Sequence, residues 1–352
     1  MPQTDTGSTG VTTPPRELLE RSPALSVVIP AYNMAAPLRR CLQAVRASTV
    51  PLHEVIVVDD ASTDETTEVA RAFGCQIVRL PANRGPAAAR NAGAAVASGE
   101  LLLFVDADTA MFPSTIVQAL ATLQASGADA VCGAFASEPL NAGFFPRYAA
   151  LLKHESHGHR VRPYNVFASQ CGLIRRAVFQ AAGGFTPFRP GVDIENEEFG
   201  RRVAARWRLV LDPAVQVRHQ FSAGPGLAAK WFRRAFWWAR YFLRHRTFEP
   251  VLMTPGVAVG TLMGPVILGG VAAAVTLSGT AACLALVALG GALLLFWRSY
   301  GDIVRLARRD GGWRFAVAVL AATLGMSCVV SAGALAGLVS GPLPLPGPEA
   351  GS

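Results

Sequence analysis

Residues 101–108 read LLLFVDAD, an uninterrupted apolar run that ends in two carboxylates separated by one residue. A short run of Leu, Phe and Val without polar alternation is typical of a β-strand buried on both faces of a parallel sheet. Similar runs occur at residues 25–30, 55–59, 76–80 and 130–135. The stretches between them predict helices, so we expect residues 23–225 to form an α/β domain.

Acidic side chains follow two of these runs. Asp59 and Asp60 come at the end of the run 55–59, and Asp106 and Asp108 follow the run 101–105. The carboxyl ends of parallel strands form the edge at which α/β sheets bind ligands. A carboxylate pair there can hold a hard divalent cation and present it to a diphosphate. The sequence contains neither a GxGxxG fingerprint nor a P-loop, which argues against a dinucleotide or a Walker-type triphosphate site.

The composition points to a membrane. Of the 352 residues 51% are hydrophobic and 16% are charged, whereas soluble domains average about 25% charged residues. The apolar excess lies in residues 251–340, with segments at about 257–277, 281–297 and 315–339. Because a span needs about 20 apolar residues, we expect an α-helical anchor of about three spans, followed by a tail at residues 341–352.

Positive charge predicts how this anchor is oriented. The loop between the second and third segments contains Arg298, Arg305, Arg308, Arg309 and Arg314, whereas the turn after the first segment and the tail contain no Lys or Arg. The positive-inside rule therefore places the loop and the α/β domain in the cytoplasm and the tail outside, in a multi-pass protein of the plasma membrane. Residues 1–22 are polar, contain no apolar signal-peptide core, and are expected to be a disordered lead-in.

Residues 226–250 combine aromatic and basic side chains. On a helical projection one face carries Trp231, Ala235, Trp238 and Phe242, and the opposite face carries Arg233, Arg240 and Arg244. This pattern predicts an amphipathic helix at the membrane interface; the alternative is a core helix of a soluble domain. We expect the net charge of +8 to interact with the bilayer surface and not with a nucleic acid, since the arginines cluster at the predicted bilayer surface.

Four motifs together resemble the family 2 glycosyltransferases of the GT-A fold. They are VVIPAYN at 27–33, VVDDASTD at 57–64, NRGPAAARNAG at 83–93 and FVDAD at 104–108, in the order and spacing of that family. The resemblance implies a Rossmann-like, mostly parallel sheet and a UDP-, GDP- or dTDP-sugar donor. It further implies Mg2+ or Mn2+ as cofactor and inversion at the anomeric carbon.

The resemblance also implies roles for particular residues. The turn at residues 30–33 and Asp60 would hold the nucleoside, and Asp108 with His219 would bind the metal. The full set implied for the nucleotide-sugar is Pro30, Ala31, Tyr32, Asn33, Asp60, Asn83, Arg84, Gly85, Arg90, Asp106 and Ala107.

Inverting transfer to a hydroxyl needs a carboxylate general base. The family usually supplies it from a Glu-Asp pair, and Glu195 and Asn196 stand at the matching positions. Because an amide cannot accept the proton, Glu195 is the first candidate base, with Asp193 and Glu198 behind it. A polyprenyl-phosphate acceptor, which is already ionised, would need no base.

Other features narrow the activity. The QxxRW motif of processive polysaccharide synthases is replaced by LAAKW at residues 227–231, which favours transfer of a single sugar to a membrane-proximal, lipid-linked or glycan acceptor. Two alternatives are a nucleotidyltransferase, although the first loop lacks its Gly-rich signature, and a non-catalytic membrane protein with a degenerate sugar-nucleotide site.

Overall fold

The structure, a computed structural model, describes residues 23–188, 191–246 and 254–343. The predicted lead-in at residues 1–22, the end of the predicted interfacial helix at 247–250 and most of the tail lie outside these residues.

All five predicted apolar runs form strands. They are β1 (Leu25–Ala31), β2 (Glu54–Asp59), β3 (Gln76–Arg79), β4 (Leu101–Val105) and β6 (Ala130–Phe135), with the short β5 (Thr109–Met111) after the two aspartates. The strands β1, β2 and β4 are almost wholly buried. The absence of polar alternation in the sequence reflects this coverage of both sheet faces.

The region from 141 to 222 adds three strands. These are β7 (Arg162–Pro163), β8 (Cys171–Arg175) and β9 (Leu209–His219). The sheet order is β3-β2-β1-β4-β8-β6-β9-β5, with β7 paired to β9. The pairs among β3, β2, β1 and β4 are parallel, whereas β8 runs antiparallel to both β4 and β6. The sheet is therefore mixed, with a parallel half that carries the predicted motifs.

Helices cover both faces of the sheet. They are α1 (Ala35–Arg46), α2 (Thr66–Ala72), α3 (Pro86–Val96), α4 (Thr115–Ser126), α5 (Phe144–Ser156), α6 (Arg176–Ala181) and α7 (Glu195–Ala204). One core cluster joins β1 and β4 to α1, α4 and α5, and a second packs their other face on α3, α6 and α7. This three-layer α/β arrangement fixes the carboxyl ends of β1, β2 and β4 on one edge.

The aromatic and basic segment forms helix α8 (Gly224–His245). Trp237 and Trp238 are only 8% and 7% exposed and pack with Val192 and Ile194 of the α/β domain. Trp237, which does not fit the aromatic face of the projection, donates its indole N–H to the Gly191 carbonyl over 2.8 Å. The predicted helix is present, but part of its aromatic surface is used for packing on the protein.

Two long apolar helices follow, α9 (Pro255–Thr276) and α10 (Gly279–Val339), and both are long and apolar enough to cross a membrane. With 22 residues, α9 is about 33 Å long at 1.5 Å per residue. Helix α10 is broken at Gly312, whose φ of 74° and ψ of −174° are not helical. The first part of α10 returns along α9, since Gly270 lies against Leu289 and Gly260 against Ser299. These segments form an apolar hairpin.

The third apolar segment, after Gly312, packs on the α/β domain. Just before it, the Asp310 carboxylate and carbonyl accept hydrogen bonds from Arg147 of α5. At its end, Leu343 is buried among residues that include Ile194 and Trp238. A span would place these ends on opposite sides of a core about 30 Å thick. Both ends of the segment contact the same domain, and the expected third span with an outside tail stays a prediction.

Candidate functional site

The carboxyl ends of β1, β2 and β4 carry the predicted site residues. Asp60 follows β2, Asp106 follows β4, and β1 ends between them with Pro30 and Ala31. The backbone N–H of Asp60 donates to the Ala31 carbonyl over 2.9 Å. Parallel pairing of the three strands therefore brings motifs that are distant in sequence to one edge of the sheet.

The turns after β1 and β2 support each other. Asn33 and Ala61 have φ values of 52° and 64°, a region that few non-glycine residues adopt. The N–H of Asn33 donates to Ser62 Oγ over 2.9 Å, and the N–H of Thr63 donates to Asn33 Oδ1 over 2.8 Å. Tyr32 remains 44% exposed between these turns. Such backbone conformations recur at ligand sites, where surrounding contacts hold them in place.

Asp60 connects this edge to the next loop. Its carboxylate oxygens accept one hydrogen bond each, from the backbone N–H groups of Arg84 and Gly85, both at 2.8 Å. Gly85 has a φ of 85° and precedes Pro86 at the start of α3, while the Asn83 and Arg84 side chains are exposed. A carboxylate has about four acceptor positions, so Asp60 retains capacity for a ligand while it fixes this loop.

Arg90 is the buried cation of the site. Its Nη2 donates to Asp106 Oδ1 over 2.8 Å, and its Nη1 lies 3.4 Å from Glu195 Oε1. Its guanidinium also lies over the Phe185 ring, 5.4 Å from the centroid. Burial raises the pKa of Glu195, and Arg90 opposes that shift. Arg90 thus holds Asp106 at the sheet edge and pairs with Glu195, the side chain that we expected to be the general base.

Asp108 pairs with His219 across two neighbouring strands. The register Thr109↔His219 between β5 and β9 brings Asp108 Oδ1 to 3.2 Å from His219 Nε2. Burial would raise the pKa of Asp108, but His219 and Lys230 hold it below its usual value. The imidazole packs against Phe221, with ring centroids 4.7 Å apart. The expected pairing of Asp108 with His219 is therefore present as a contact.

A cavity of about 150 Å³ lies between this edge, α5, α7 and α8. Ala107, between the two aspartates, is itself buried at 4% exposure. The polar and charged residues that line the cavity include Asp106, Lys153, His157, Gln170, Asn196, Glu197, His219, Lys230 and Arg234, and the aromatic ones include Trp231 and Trp238.

Helix α7 is held close to the cavity by a glycine. A Cβ on Gly200 would lie 2.5 Å from the backbone of Val166 and 2.3 Å from the N of Phe167, so only glycine permits this approach. The Phe167 N–H donates to the Asn196 carbonyl over 3.0 Å. This packing places the first turn of α7 in the cavity wall.

Three of the candidate bases lie outside the cavity wall and pair with arginines. Glu195 pairs with the buried arginine described above and is not among the residues that line the cavity. Glu198 pairs with Arg202 at 2.7 Å, and Asp193 lies 3.3 Å from Arg233. Of the four residues expected from the sequence, Asn196 is the one that lines the cavity.

The carboxylate beside Asn196 in the cavity wall is Glu197, which the sequence reasoning missed. Its Oε1 accepts hydrogen bonds from Arg234 Nη2 at 3.0 Å and from Trp238 Nε1 at 3.1 Å. A signal was available, because Ile194, Glu197 and Gly200 recur at three-residue spacing and so share the buried face of α7. The partners on α8 could not be read from that spacing.

The fold is of the GT-A class, with a mixed α/β sheet whose candidate site residues lie at the carboxyl ends of its parallel strands. Residues 26–183 match the family described as glycosyl transferase family 2. The chain therefore carries a glycosyl transferase family 2 domain, as its motifs predict.

Curated relatives match about a third of the chain. Glycosyltransferase AglE of Haloferax volcanii is 37% identical over 118 residues, which cover 32% of this chain and 39% of that protein. The succinoglycan biosynthesis protein ExoO of Rhizobium meliloti is 34% identical over 113 residues, which cover 31% of this chain and 32% of that protein. The matched region thus spans less than half the length of these relatives.

A solved structure extends the likeness in fold. The mannosyltransferase PcManGT from Pyrobaculum calidifontis, in complex with GDP-Man and Mn2+, superposes with a TM-score of 0.60 at 22% identity, over 90% of this chain and 88% of that one. At this identity the likeness establishes the fold and not the substrate.

The Asp108–His219 pair fits the divalent cation that this fold suggests. Its two facing atoms, 3.2 Å apart, are an oxygen and a nitrogen that can share one ion, and the other ring nitrogen of His219 is buried with no hydrogen-bond partner among the described residues. No group of three or more His, Cys, Asp or Glu side chains that could hold a metal occurs in the described part of the chain. This number of ligands suits an ion that takes its remaining oxygens from water and substrate phosphates.

Proposed function

We propose that this protein is a metal-dependent, inverting glycosyltransferase. It moves one sugar from a nucleotide-sugar to a membrane-proximal or lipid-linked acceptor. The observation that carries the proposal is a single cavity lined by Asp106, Asn196 and His219, within a glycosyl transferase family 2 domain. The absence of the QxxRW motif supports non-processive transfer.

The nucleotide would bind along the edge formed by β1 and β2. The exposed Tyr32 and the Asp60 carboxylate flank the turn that contains Asn33, and they would contact the nucleoside. The N-terminus of α3, after Gly85, would offer backbone N–H groups to the diphosphate. UDP-, GDP- and dTDP-sugars all remain candidate donors.

Asp108 and His219 would hold Mg2+ or Mn2+. When bound, such an ion neutralises the negative charge on the departing nucleoside diphosphate. The side chains of this chain would then hold the metal ligands in place and exclude water. Arg90 fixes the Asp106 carboxylate at 2.8 Å, and the aromatic rings around His219 exclude water from one side of the pair.

The apolar hairpin supports a placement of the domain at a membrane. Helix α9 and the first part of α10 would form two spans, not three. The connecting residues 277–278 contain no Lys or Arg, whereas Arg298, Arg305 and Arg308 lie at the domain end of the hairpin. By the positive-inside rule the domain would lie on the cytoplasmic face of the plasma membrane. This arrangement would place the cavity near the bilayer surface.

The test measures release of nucleoside diphosphate from a panel of UDP-, GDP- and dTDP-sugars by the full chain with Mg2+ or Mn2+. One donor should be turned over, and Asp108→Ala should lower the rate about 100-fold or more, since a metal contribution of several kcal/mol corresponds to that factor. Glu68→Ala, at an exposed carboxylate, is the control and should match the wild type.

Equal rates for wild type and Asp108→Ala would refute the metal role. Tight nucleotide binding without turnover on any acceptor extract would favour a degenerate binding site, for which Asn196 in the usual base position is the motivating observation.

A further inference from the structure

His157 is a buried histidine in the wall of the 150 Å³ cavity, the proposed catalytic cavity, and the mechanism proposed above gives it no role. It stands at the C-terminal end of α5, where Gly158, with a φ of 72°, ends the helix. Its side chain is 4% exposed and lines the cavity together with Asn196. The Phe135 ring packs against both His157 and His219, with ring centroids 5.7 and 5.2 Å apart. His157 therefore shares the cavity and one aromatic neighbour with the proposed metal pair.

The hydrogen bonding of His157 determines which ring nitrogen carries the proton. Its Nδ1 is hydrogen-bonded to the Lys153 carbonyl, one turn earlier in the chain. A carbonyl oxygen only accepts, so Nδ1 is the donor, and in the neutral ring Nε2 then carries the lone pair. Nε2 is also the ring nitrogen that is further from the backbone. The histidine therefore presents a proton acceptor at the cavity wall.

The surroundings of His157 keep the imidazole neutral. Burial lowers the pKa of this imidazole to about 4; the hydrogen bond to the backbone opposes the shift, and the charges of Lys153, Arg162 and His154 add to it. The other charged or titratable side chains of the cavity lining include Asp106, Glu197, His219, Lys230 and Arg234. An ordinary glutamate carboxyl has a pKa of about 4.3. His157 is thus unprotonated near neutral pH and about as basic as a carboxylate.

Arginines bind the carboxylates of the same cavity. In the described part of the chain two carboxylates line it. Asp106 accepts a hydrogen bond from Arg90 over 2.8 Å, and Glu197 accepts one over 3.0 Å from Arg234. Asn196, at the position where the family resemblance implies a carboxylate, cannot accept a proton. Removal of a proton from a hydroxyl acceptor therefore needs a group other than these.

The carboxylate nearest to His157 along the chain faces a different space. Glu155 of α5 lines a second cavity, of about 300 Å³, whose lining also includes the apolar residues Leu152, Ala235, Val257, Ile303 and Val330. This apolar cavity adjoins the catalytic one through residues that line both, which are Lys153, Trp231, Arg234 and Trp238. Glu155 is on the apolar side of this wall and His157 is on the catalytic side.

From these observations we infer that His157 is the general base of the transfer and acts on a hydroxyl acceptor. This inference rests on the proposed glycosyltransferase function. The acceptor hydroxyl gives its proton to Nε2 of His157 while its oxygen attacks the anomeric carbon. The bond from that carbon to the nucleoside diphosphate breaks, and its electron pair leaves on the diphosphate oxygen. The imidazolium then releases the proton to water.

The test uses the full chain in micelles of lauryldimethylamine oxide, a detergent without hydroxyl groups, with the donor that the chain turns over. Water and octyl β-D-glucopyranoside are the acceptors, and free sugar, glycosylated octyl glucoside and nucleoside diphosphate are measured. His157→Gln keeps a hydrogen-bond acceptor that takes no proton, whereas His157→Ala leaves space for added imidazole. His159→Gln, at an exposed histidine two residues further on, is the matched control. Nucleotide titration shows whether each variant is folded and binds the donor.

We expect both His157 variants to turn over the donor about 100-fold more slowly or worse, the usual contribution of a general base, with nucleotide binding unchanged. Added imidazole should raise the rate of His157→Ala about tenfold or more. It should not raise the rate of His157→Gln, whose side chain fills the space. The rate of His159→Gln should match that of the wild type.

Three results would overturn the inference and leave the proposed function standing. They are a rate of His157→Gln within about threefold of the wild type, a rate of His157→Ala that imidazole does not raise, and a larger loss in Glu197→Gln than in His157→Gln. Loss of nucleotide binding in both His157 variants would assign this residue a structural role and so also overturn the inference. Absence of turnover or of nucleotide binding in the wild type would instead overturn the proposed function itself.

Discussion

Removal of the Arg90 guanidinium should destabilise the protein strongly. Arg90 is 4% exposed and bridges Asp106 and Glu195, and the Glu195 side chain is itself only 11% exposed. Replacing it with methionine keeps most of the volume but leaves two carboxylates without their cation. Loss of one partner from a buried ion pair costs about 3–5 kcal/mol. For a domain of this size that corresponds to a fall in Tm of about 6–20 °C.

The assay is thermal unfolding of the full chain in detergent, followed by tryptophan fluorescence, for Arg90→Met, Glu195→Gln and the double variant. The matched control is Arg71→Met, because Arg71 and Glu68 form an exposed pair 4.0 Å apart, and such pairs contribute at most about 1 kcal/mol. The double variant should be more stable than Arg90→Met, since it no longer contains the uncompensated Glu195 charge.

The pH dependence adds an independent check. Burial already raises the pKa of Glu195 while Arg90 opposes the shift, so loss of Arg90 should raise it further. A raised pKa means that the folded state binds the proton more tightly than the unfolded state, and stability then falls as pH rises through the ordinary value of Glu. The deficit of Arg90→Met should therefore be larger at pH 8 than at pH 5. A deficit no greater than that of Arg71→Met at either pH would refute the assignment of Arg90 as the organiser of this site.

Two further predictions concern His157 in the cavity wall and the membrane topology. Burial lowers the pKa of His157 to about 4, so the unfolded state binds the imidazole proton more readily than the folded state. The free energy of unfolding of the wild type should therefore fall by up to about 3 kcal/mol between pH 6.5 and 4. The Tm of His157→Asn should depend less on pH over that window and should show the same pH dependence as the wild type above it. For the topology, single cysteines at Ser278, in the hairpin turn, and at Ser340, after α10, are labelled in spheroplasts with a membrane-impermeant maleimide in a cysteine-free background. Ser278→Cys should react from outside and Ser340→Cys only after lysis, whereas labelling of Ser340→Cys in intact spheroplasts would restore a third span.

The parallel half of the sheet could be predicted because its signals are local. Strands buried on both faces must be continuously apolar, so β1, β2 and β4 were evident as runs, and their carboxyl ends coincide with Asp60 and Asp106. The antiparallel β8 was not predicted, because its five residues are bounded by loops and its place between β4 and β6 depends on long-range pairing.

The candidate site likewise has features that the sequence predicted and features that it did not. The family resemblance implied that Asp108 and His219 lie near the same metal, and the register of β5 and β9 brings these two side chains to 3.2 Å. The orientation of α7 was not predictable from the motif, because the turn of the helix directs Glu195 to Arg90 and Glu197 to the cavity. A two-residue step on a helix rotates a side chain by about 200°, so Glu195 and Glu197 lie in different environments.

The sequence by itself determined the α/β class, the family of the domain, the acidic edge of the sheet and the apolar C-terminal helices, because each is encoded in residues close together along the chain. Only the tertiary structure decided which carboxylate faces the cavity, that the segment after Gly312 returns to the domain, and that an apolar cavity adjoins the catalytic one. These features depend on contacts between residues that are in some cases more than 100 positions apart in sequence, such as Arg147 with Asp310 and Arg90 with Glu195. Hydrophobic periodicity contains no information about which distant partner a side chain contacts.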